Sequence, residues 1–137
     1  MVQSEKSTFQ FKSFKVLKSL IEFKDEEHVA QEINIKINPS GIIDRKQNLF
    51  KLRLDVIILD ENENLMIEIS SISTFSFQKA SKNLNSLFFL NSPAIVFPYI
   101  RSYISTLTML SGINPIHLPT LNLTKLAKIL EKNTVKK

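Results

Sequence analysis

Hydrophobic and polar positions alternate with a period of two along the first half of the chain. Phe9 and Phe11 are flanked by polar residues, and Val16, Leu17, Leu20, Ile21 and Phe23 continue an apolar stretch whose period slips once. A bulge or a bend produces such a slip, so this stretch reads as one long kinked strand or as two short ones. After the acidic turn Lys24-Asp25-Glu26-Glu27, the run Ile33-Asn34-Ile35-Lys36-Ile37 alternates strictly, and Asn38-Pro39-Ser40-Gly41 has the chemistry of a turn that ends it. Phe50, Leu52, Leu54, Val56 and Ile58 share the face of a third strand. The polar run Asp60 to Asn64 reverses the chain, and Leu65, Ile67 and Ile69 share a face of a fourth strand that extends toward Phe77.

The second half changes period. Leu84, Leu87 and Phe88 stand at i, i+3 and i+4 and predict a short helix between Lys79 and Leu90. Pro98 suits the first position of a longer helix, and Gly112 suits its left-handed C-terminal cap. The apolar residues of that helix, Tyr99, Ile100, Tyr103, Ile104, Leu107, Met109 and Leu110, occupy more than one stripe. Burying a single side would leave a wide apolar surface in water, which predicts a partner subunit. Asn114-Pro115 and Leu118-Pro119 impose an extended loop, and Asn122 is placed to cap a last helix carrying Leu123, Leu126, Ile129 and Leu130. Strands followed by helices, without a repeat or a linker, predict one α+β domain over 1–137, with flexible ends at 1–8 and 132–137.

Composition narrows the chemistry. The 137 residues contain no Cys, which removes disulfides, thiolate nucleophiles and sulfur-ligated zinc, and they contain only two Gly, which removes glycine-rich phosphate loops. No apolar run approaches the roughly 18 to 20 residues of a membrane helix and no apolar leader precedes Phe9, so a soluble, cytoplasmic protein is expected. The net charge of +5 is unevenly spread: positions 1–68 carry 10 Lys/Arg and 12 Asp/Glu, whereas 69–137 carry 8 Lys/Arg and only Glu131. A basic half can meet nucleic acid, yet Lys125, Lys128, Lys132, Lys136 and Lys137 also suit a solvated helix end and tail. Asp55 and Glu68 sit on neighbouring strands like the carboxylate pair of a metal-dependent nuclease, but Ser70 stands where such sites place a Lys. His28 and His117 have no companions at metal-ligand spacing, and Arg101 suits a structural hydrogen-bonding role. No enzyme activity and no cofactor are expected.

The segment Val96-Phe97-Pro98-Tyr99-Ile100-Arg101, with a Gly closing the helix, and the stretch Pro115 to Leu123 resemble the signature region of SecB, the bacterial protein-export chaperone. The similarity runs from Phe9-Gln10-Phe11 to Leu130. The resemblance implies a four-stranded antiparallel sheet with a long helix and a C-terminal helix packed on one face, assembled as a homotetrameric dimer of dimers. It implies ATP-independent holding of unfolded polypeptides, preproteins for export among them, in hydrophobic grooves, with delivery to the export ATPase SecA. Ile33, Ile35 and Ile37, which alternation alone makes core, match groove residues; Leu65 sits where an aromatic groove residue is common, and Leu123 and Leu126 complete the set. Ile67, Ile69, Tyr99, Tyr103 and Leu107 match subunit-contact regions, and Met66 and Glu68 match the motor-docking strand. The family's docking face is acidic, whereas the corresponding early-strand positions here are Leu20 and Lys24. SecB-like chaperones also protect antitoxins of toxin–antitoxin systems, which gives a second reading; a basic nucleic-acid-binding module is the alternative from a different class.

Overall fold

The computed structural model describes residues 8–26 and 32–137. Four long strands, β1 (Phe9–Phe23), β2 (Ile33–Asp44), β3 (Leu49–Asp60) and β4 (Leu65–Phe77), pair antiparallel, and a short β5 (Thr134–Lys136) runs parallel to β2 at the edge, in the order β1-β4-β3-β2-β5. The tail expected to be flexible thus supplies a fifth strand. Asn133 anchors it by donating its side-chain amide to the Pro39 carbonyl at 3.0 Å, and the Lys137 amide donates to the Ile43 carbonyl at 2.8 Å.

The first strand is one piece, with two register shifts, between Phe11 and Ser13 and between Val16 and Lys18. Each shift takes up one residue, which keeps Phe9, Phe11, Phe14 and Val16 on the same face despite the broken alternation. The predicted turn at 38–41 is instead the middle of β2, which continues to Asp44. Pro39 is tolerated because its backbone points away from β3, so its missing N–H breaks no ladder bond. The reversal falls at 45–48, where Asp44 accepts the Lys46 and Gln47 amides and Asn48 adopts φ 55°. In the next hairpin the buried Asp60 carboxylate accepts the Asn64 and Leu65 amides at 2.8 and 3.0 Å.

Helices cover one face of the sheet: α1 (Leu84–Ser86), a π-helical turn (Leu87–Asn91), α2 (Ser92–Leu110) and α3 (Leu123–Lys132). The short and long helices predicted separately are continuous, and Pro98 lies inside α2 rather than at its start. Pro98 is exposed, and so is Ala94, whose carbonyl lacks the Pro98 N–H and can turn to water. Pro93 is accommodated by the wider π turn before it: the Ser92 amide reaches the Leu87 carbonyl, and the Ser92 hydroxyl donates to the Phe88 carbonyl. At the other end, Gly112 at φ 91° lets the Ile113 amide donate to the Thr108 carbonyl and its own amide to that of Met109.

The core lies between this helical layer and the sheet. Phe50 stacks on Phe88 and Phe9 on Phe75, each pair at 4.8 Å between ring centroids, and Phe77 meets Phe88 edge-on. Leu52, Leu54, Val56 and Ile58 of β3, with Ile100 and Ile104 of α2, are fully buried. Each such side chain contributes about 1.5 to 3 kcal/mol from burial.

Candidate functional site

Between β2 and α3 lies an open apolar cavity of about 310 Å³. Ile35 and Ile37 of β2, Leu126 and Ile129 of α3, and Pro119 and Leu121 of the loop before α3 line it, with Asn122 and Lys125 beside them. The alternation of β2 aims Ile35 and Ile37 at the helical face, and the i, i+3 spacing of Leu126 and Ile129 puts both on one side of α3. Asn122 fixes where α3 begins, its side chain accepting the Lys125 amide at 3.1 Å as the sequence predicts.

The loop that carries Pro119 and Leu121 is pinned to α2. Thr108 Oγ1 donates to the Ile104 carbonyl at 2.8 Å and accepts the Ile116 amide at 2.9 Å, and Ser105 Oγ donates to the Ile116 carbonyl at 3.0 Å. Ile116 and Leu118 are buried beneath it. The polar side of α2 thereby sets one wall of an apolar groove, a role with no periodic signal in the sequence.

The outer edge of β2 is open beside this groove. β5 pairs only with Gly41, Ile42 and Ile43. The antiparallel pattern that points the backbone of Pro39, Gly41 and Ile43 outward also points Ile33, Ile35 and Ile37 outward. Their N–H and C=O groups have no partner among the described residues. An edge of this kind is a template for a further extended strand.

Of the expected groove residues, the structure brings Ile35, Ile37 and Leu126 together. Ile33 lines a separate, more polar cavity of about 370 Å³ with Glu32, Glu61 and Glu63. Leu123 is half-buried at the start of α3 and outside the groove. Leu65 is fully buried, packed on the helical side of the sheet, and has no surface for a client. The groove residues that sequence reading missed are Pro119, Leu121 and Ile129, which no strand or signature pattern marks as facing β2.

The same burial corrects the expected subunit contact. Ile67 and Ile69 are fully buried within the chain itself and leave no area for a partner. Tyr99 is 48% exposed, with its ring 5.3 Å from Phe11 and 5.5 Å from Phe14. Tyr103 and Leu107 are half-buried against the core. The exposed apolar surface of α2 is carried instead by Ile95, Tyr99, Met109 and Leu110.

Met66 and Glu68 lie on the uncovered face of the sheet, where Glu68 pairs with Lys18 at 3.1 Å and sits opposite Leu20. Asp55, on the same face, is held by Arg53 at 3.1 Å. Both carboxylates of the nuclease-like pair are thus engaged by cations, and no cluster of three metal-ligating side chains exists among the described residues. His117 Nδ1 lies 3.3 Å from Ser105 Oγ, and His28 falls outside the described residues. Arg101 differs from the expectation of a hydrogen-bonding role: its guanidinium lies over Phe97 at 5.1 Å, and its buried Nε has no hydrogen-bond partner among the described residues. No helix of the described residues is long and apolar enough to cross a membrane.

Comparison with known proteins places this arrangement. Among solved structures, a Mycobacterium tuberculosis SecB-like chaperone, Rv1957, in complex with a ChAD peptide from the Rv1956 HigA1 antitoxin, superposes with a TM-score of 0.68 at 16% identity, over 83% of this chain and 91% of that one. A Streptococcus agalactiae protein of unknown function superposes with a TM-score of 0.43 at 7% identity, over 82% of this chain and 97% of that one. No curated protein sequence matches. The sequence model of the family described as preprotein translocase subunit SecB matches residues 10–132, nearly the whole chain. With that coverage, and with a SecB-like chaperone sharing its fold, the chain belongs to the SecB family.

Proposed function

We propose that this chain is a non-enzymatic, ATP-independent chaperone that holds extended segments of non-native polypeptide in the groove between β2 and α3. The observation that carries this reading is the juxtaposition of an apolar groove with a strand edge whose outward amides and carbonyls at Ile33, Ile35 and Ile37 are free among the described residues. A client laid along that edge adds a strand, its backbone matched by β2 and alternate side chains reaching the groove. Each hydrogen bond adds about 0.5 to 1.5 kcal/mol and each buried apolar side chain about 1.5 to 3 kcal/mol before ordering costs, which gives reversible holding without sequence specificity.

Light scattering of an unfolded, aggregating client tests it. The purified protein is expected to suppress scattering without nucleotide, and Ile129→Asp, which puts a charge on the groove wall at a partly exposed position, is expected to weaken client affinity roughly tenfold. A client peptide N-methylated at alternate residues should lose affinity if the edge of β2 takes part. A wild-type protein that leaves aggregation unchanged refutes the proposal.

The clients are preproteins for export, and delivery runs through Met66 and Glu68 to SecA; Glu68→Lys then weakens binding to that ATPase while client holding is spared. The antitoxin peptide held by the M. tuberculosis neighbour supports a second reading, a chaperone dedicated to an antitoxin. On either reading the protein works as a cytoplasmic homotetramer.

A further inference from the structure

One end of the uncovered face of the sheet carries more cations than carboxylates. Strand register places Lys15, Ile72, Arg53 and Ser40 in one row across β1, β4, β3 and β2, and Ser13, Thr74, Lys51 and Ile42 in the next. The Lys12 ammonium reaches Gln10 on this face at 2.9 Å, and the adjoining β2–β3 turn carries Arg45 and Lys46. The carboxylates at this end are engaged: Asp44 accepts turn amides and Asp55 is held by Arg53. Lys15 and Lys51 have no acidic partner among the described residues. Toward the opposite end, Glu68 lies about 13 Å and Glu22 about 20 Å along β4 from the Ile72 row, among Lys18, Lys24 and Lys36, and the β3–β4 turn there carries Glu61 and Glu63.

We propose that the basic end of this face, Lys12, Lys15 and Lys51 around Ile72 and Ile42, docks an acidic, extended polypeptide segment. Two features favour a polypeptide over a nucleic acid. The face bears no aromatic side chain: Phe9, Phe11, Phe14, Phe23, Phe50, Phe75 and Phe77 all register on the helical side, so no base can stack. Apolar side chains stand among the cations, Ile72 between Lys15 and Arg53 and Ile42, 41% exposed, beside Lys51, which suits Asp or Glu alternating with apolar residues better than a continuous phosphate chain. The site is separate from the client groove and faces the other way, so the two can be occupied together.

The test is fluorescence anisotropy with the full chain and two probes, a labelled peptide of alternating Glu and Ala and labelled oligothymidylate. The peptide is expected to bind, to weaken with salt, and to lose at least about tenfold in affinity in Lys15→Glu/Lys51→Glu. Lys128→Glu/Lys132→Glu makes the same change in net charge on α3 and should leave peptide affinity within about twofold of wild type. Lys15→Gln/Lys51→Gln, a milder pair, is used if the reversal disturbs thermal unfolding. Equal losses in the face and α3 variants, no peptide binding by wild type, or tighter binding of oligothymidylate at the same lysines would each overturn the proposal. Client holding by the same variants reports on the groove independently.

Discussion

Gly41 and Gly112 are the chain's two glycines, and they are required for different reasons. A Cβ on Gly41 would lie 2.8 Å from Thr134 Oγ1 and 3.0 Å from the Phe50 ring, whereas a Cβ on Gly112 meets nothing within 4 Å. Gly41 is therefore needed for space, so that β5 can close on β2, and Gly112 for its φ of 91°. Both Ala substitutions are expected to destabilise, Gly41→Ala by about 1 to 3 kcal/mol through overpacking and Gly112→Ala by about 1 kcal/mol through backbone strain. Denaturant unfolding distinguishes them: Thr134→Ala should recover part of the first loss and none of the second. Only the role of Gly112 was legible in the sequence. Gly41 looks like a turn residue there, because the neighbour that requires its bare backbone lies more than ninety positions away.

The elements follow their local patterns except where a polar contact overrides them. Alternation predicted the faces of β2, β3 and β4, and Asn122 predicted the start of α3. The loop between α2 and α3 follows no such pattern. It is held by Thr108 and Ser105, which read as ordinary polar positions of an over-apolar helix. Thr108→Val keeps the shape and leaves the buried Ile116 amide without its acceptor, at a cost of about 1 to 3 kcal/mol. Its further effect should be local: faster amide exchange at 113–121 and weaker client binding, with β3 and β4 protected as before. Unchanged exchange in that loop would show that Ile116 and Leu118 alone hold it.

At the scale of the whole molecule, the two faces of the sheet have divided labour. The helical face packs its aromatics into a core and leaves one groove at the β2 edge, and the other face mixes charged and polar side chains with accessible apolar ones such as Ile42, Ile57 and Ile72. Ile95, Tyr99, Met109 and Leu110 of α2 stay exposed and form an apolar stripe that the chain itself does not cover. With the tetramer proposed above joined in part through this helix, Ile95→Lys/Met109→Lys is expected to sediment as smaller species than wild type. Neither position is buried within the chain, so the smaller species should keep the wild-type fold, read as an unchanged far-ultraviolet circular dichroism spectrum.

The sequence by itself determined the strand alternation, the helical second half, the capping at Asn122 and Gly112 and the family resemblance, because each is written in neighbours within a few residues of one another. It also marked Ile35, Ile37 and Leu126 as groove candidates through that resemblance. Which apolar residues remain accessible was decided only by the tertiary structure: Leu65, Ile67 and Ile69 share the pattern of Ile35 and Ile37, but central strands are covered on both flanks and an edge strand is not. The basic end of the open face has the same origin. Lys15, Arg53 and Lys51 are scattered over nearly forty positions and become one surface only through strand register.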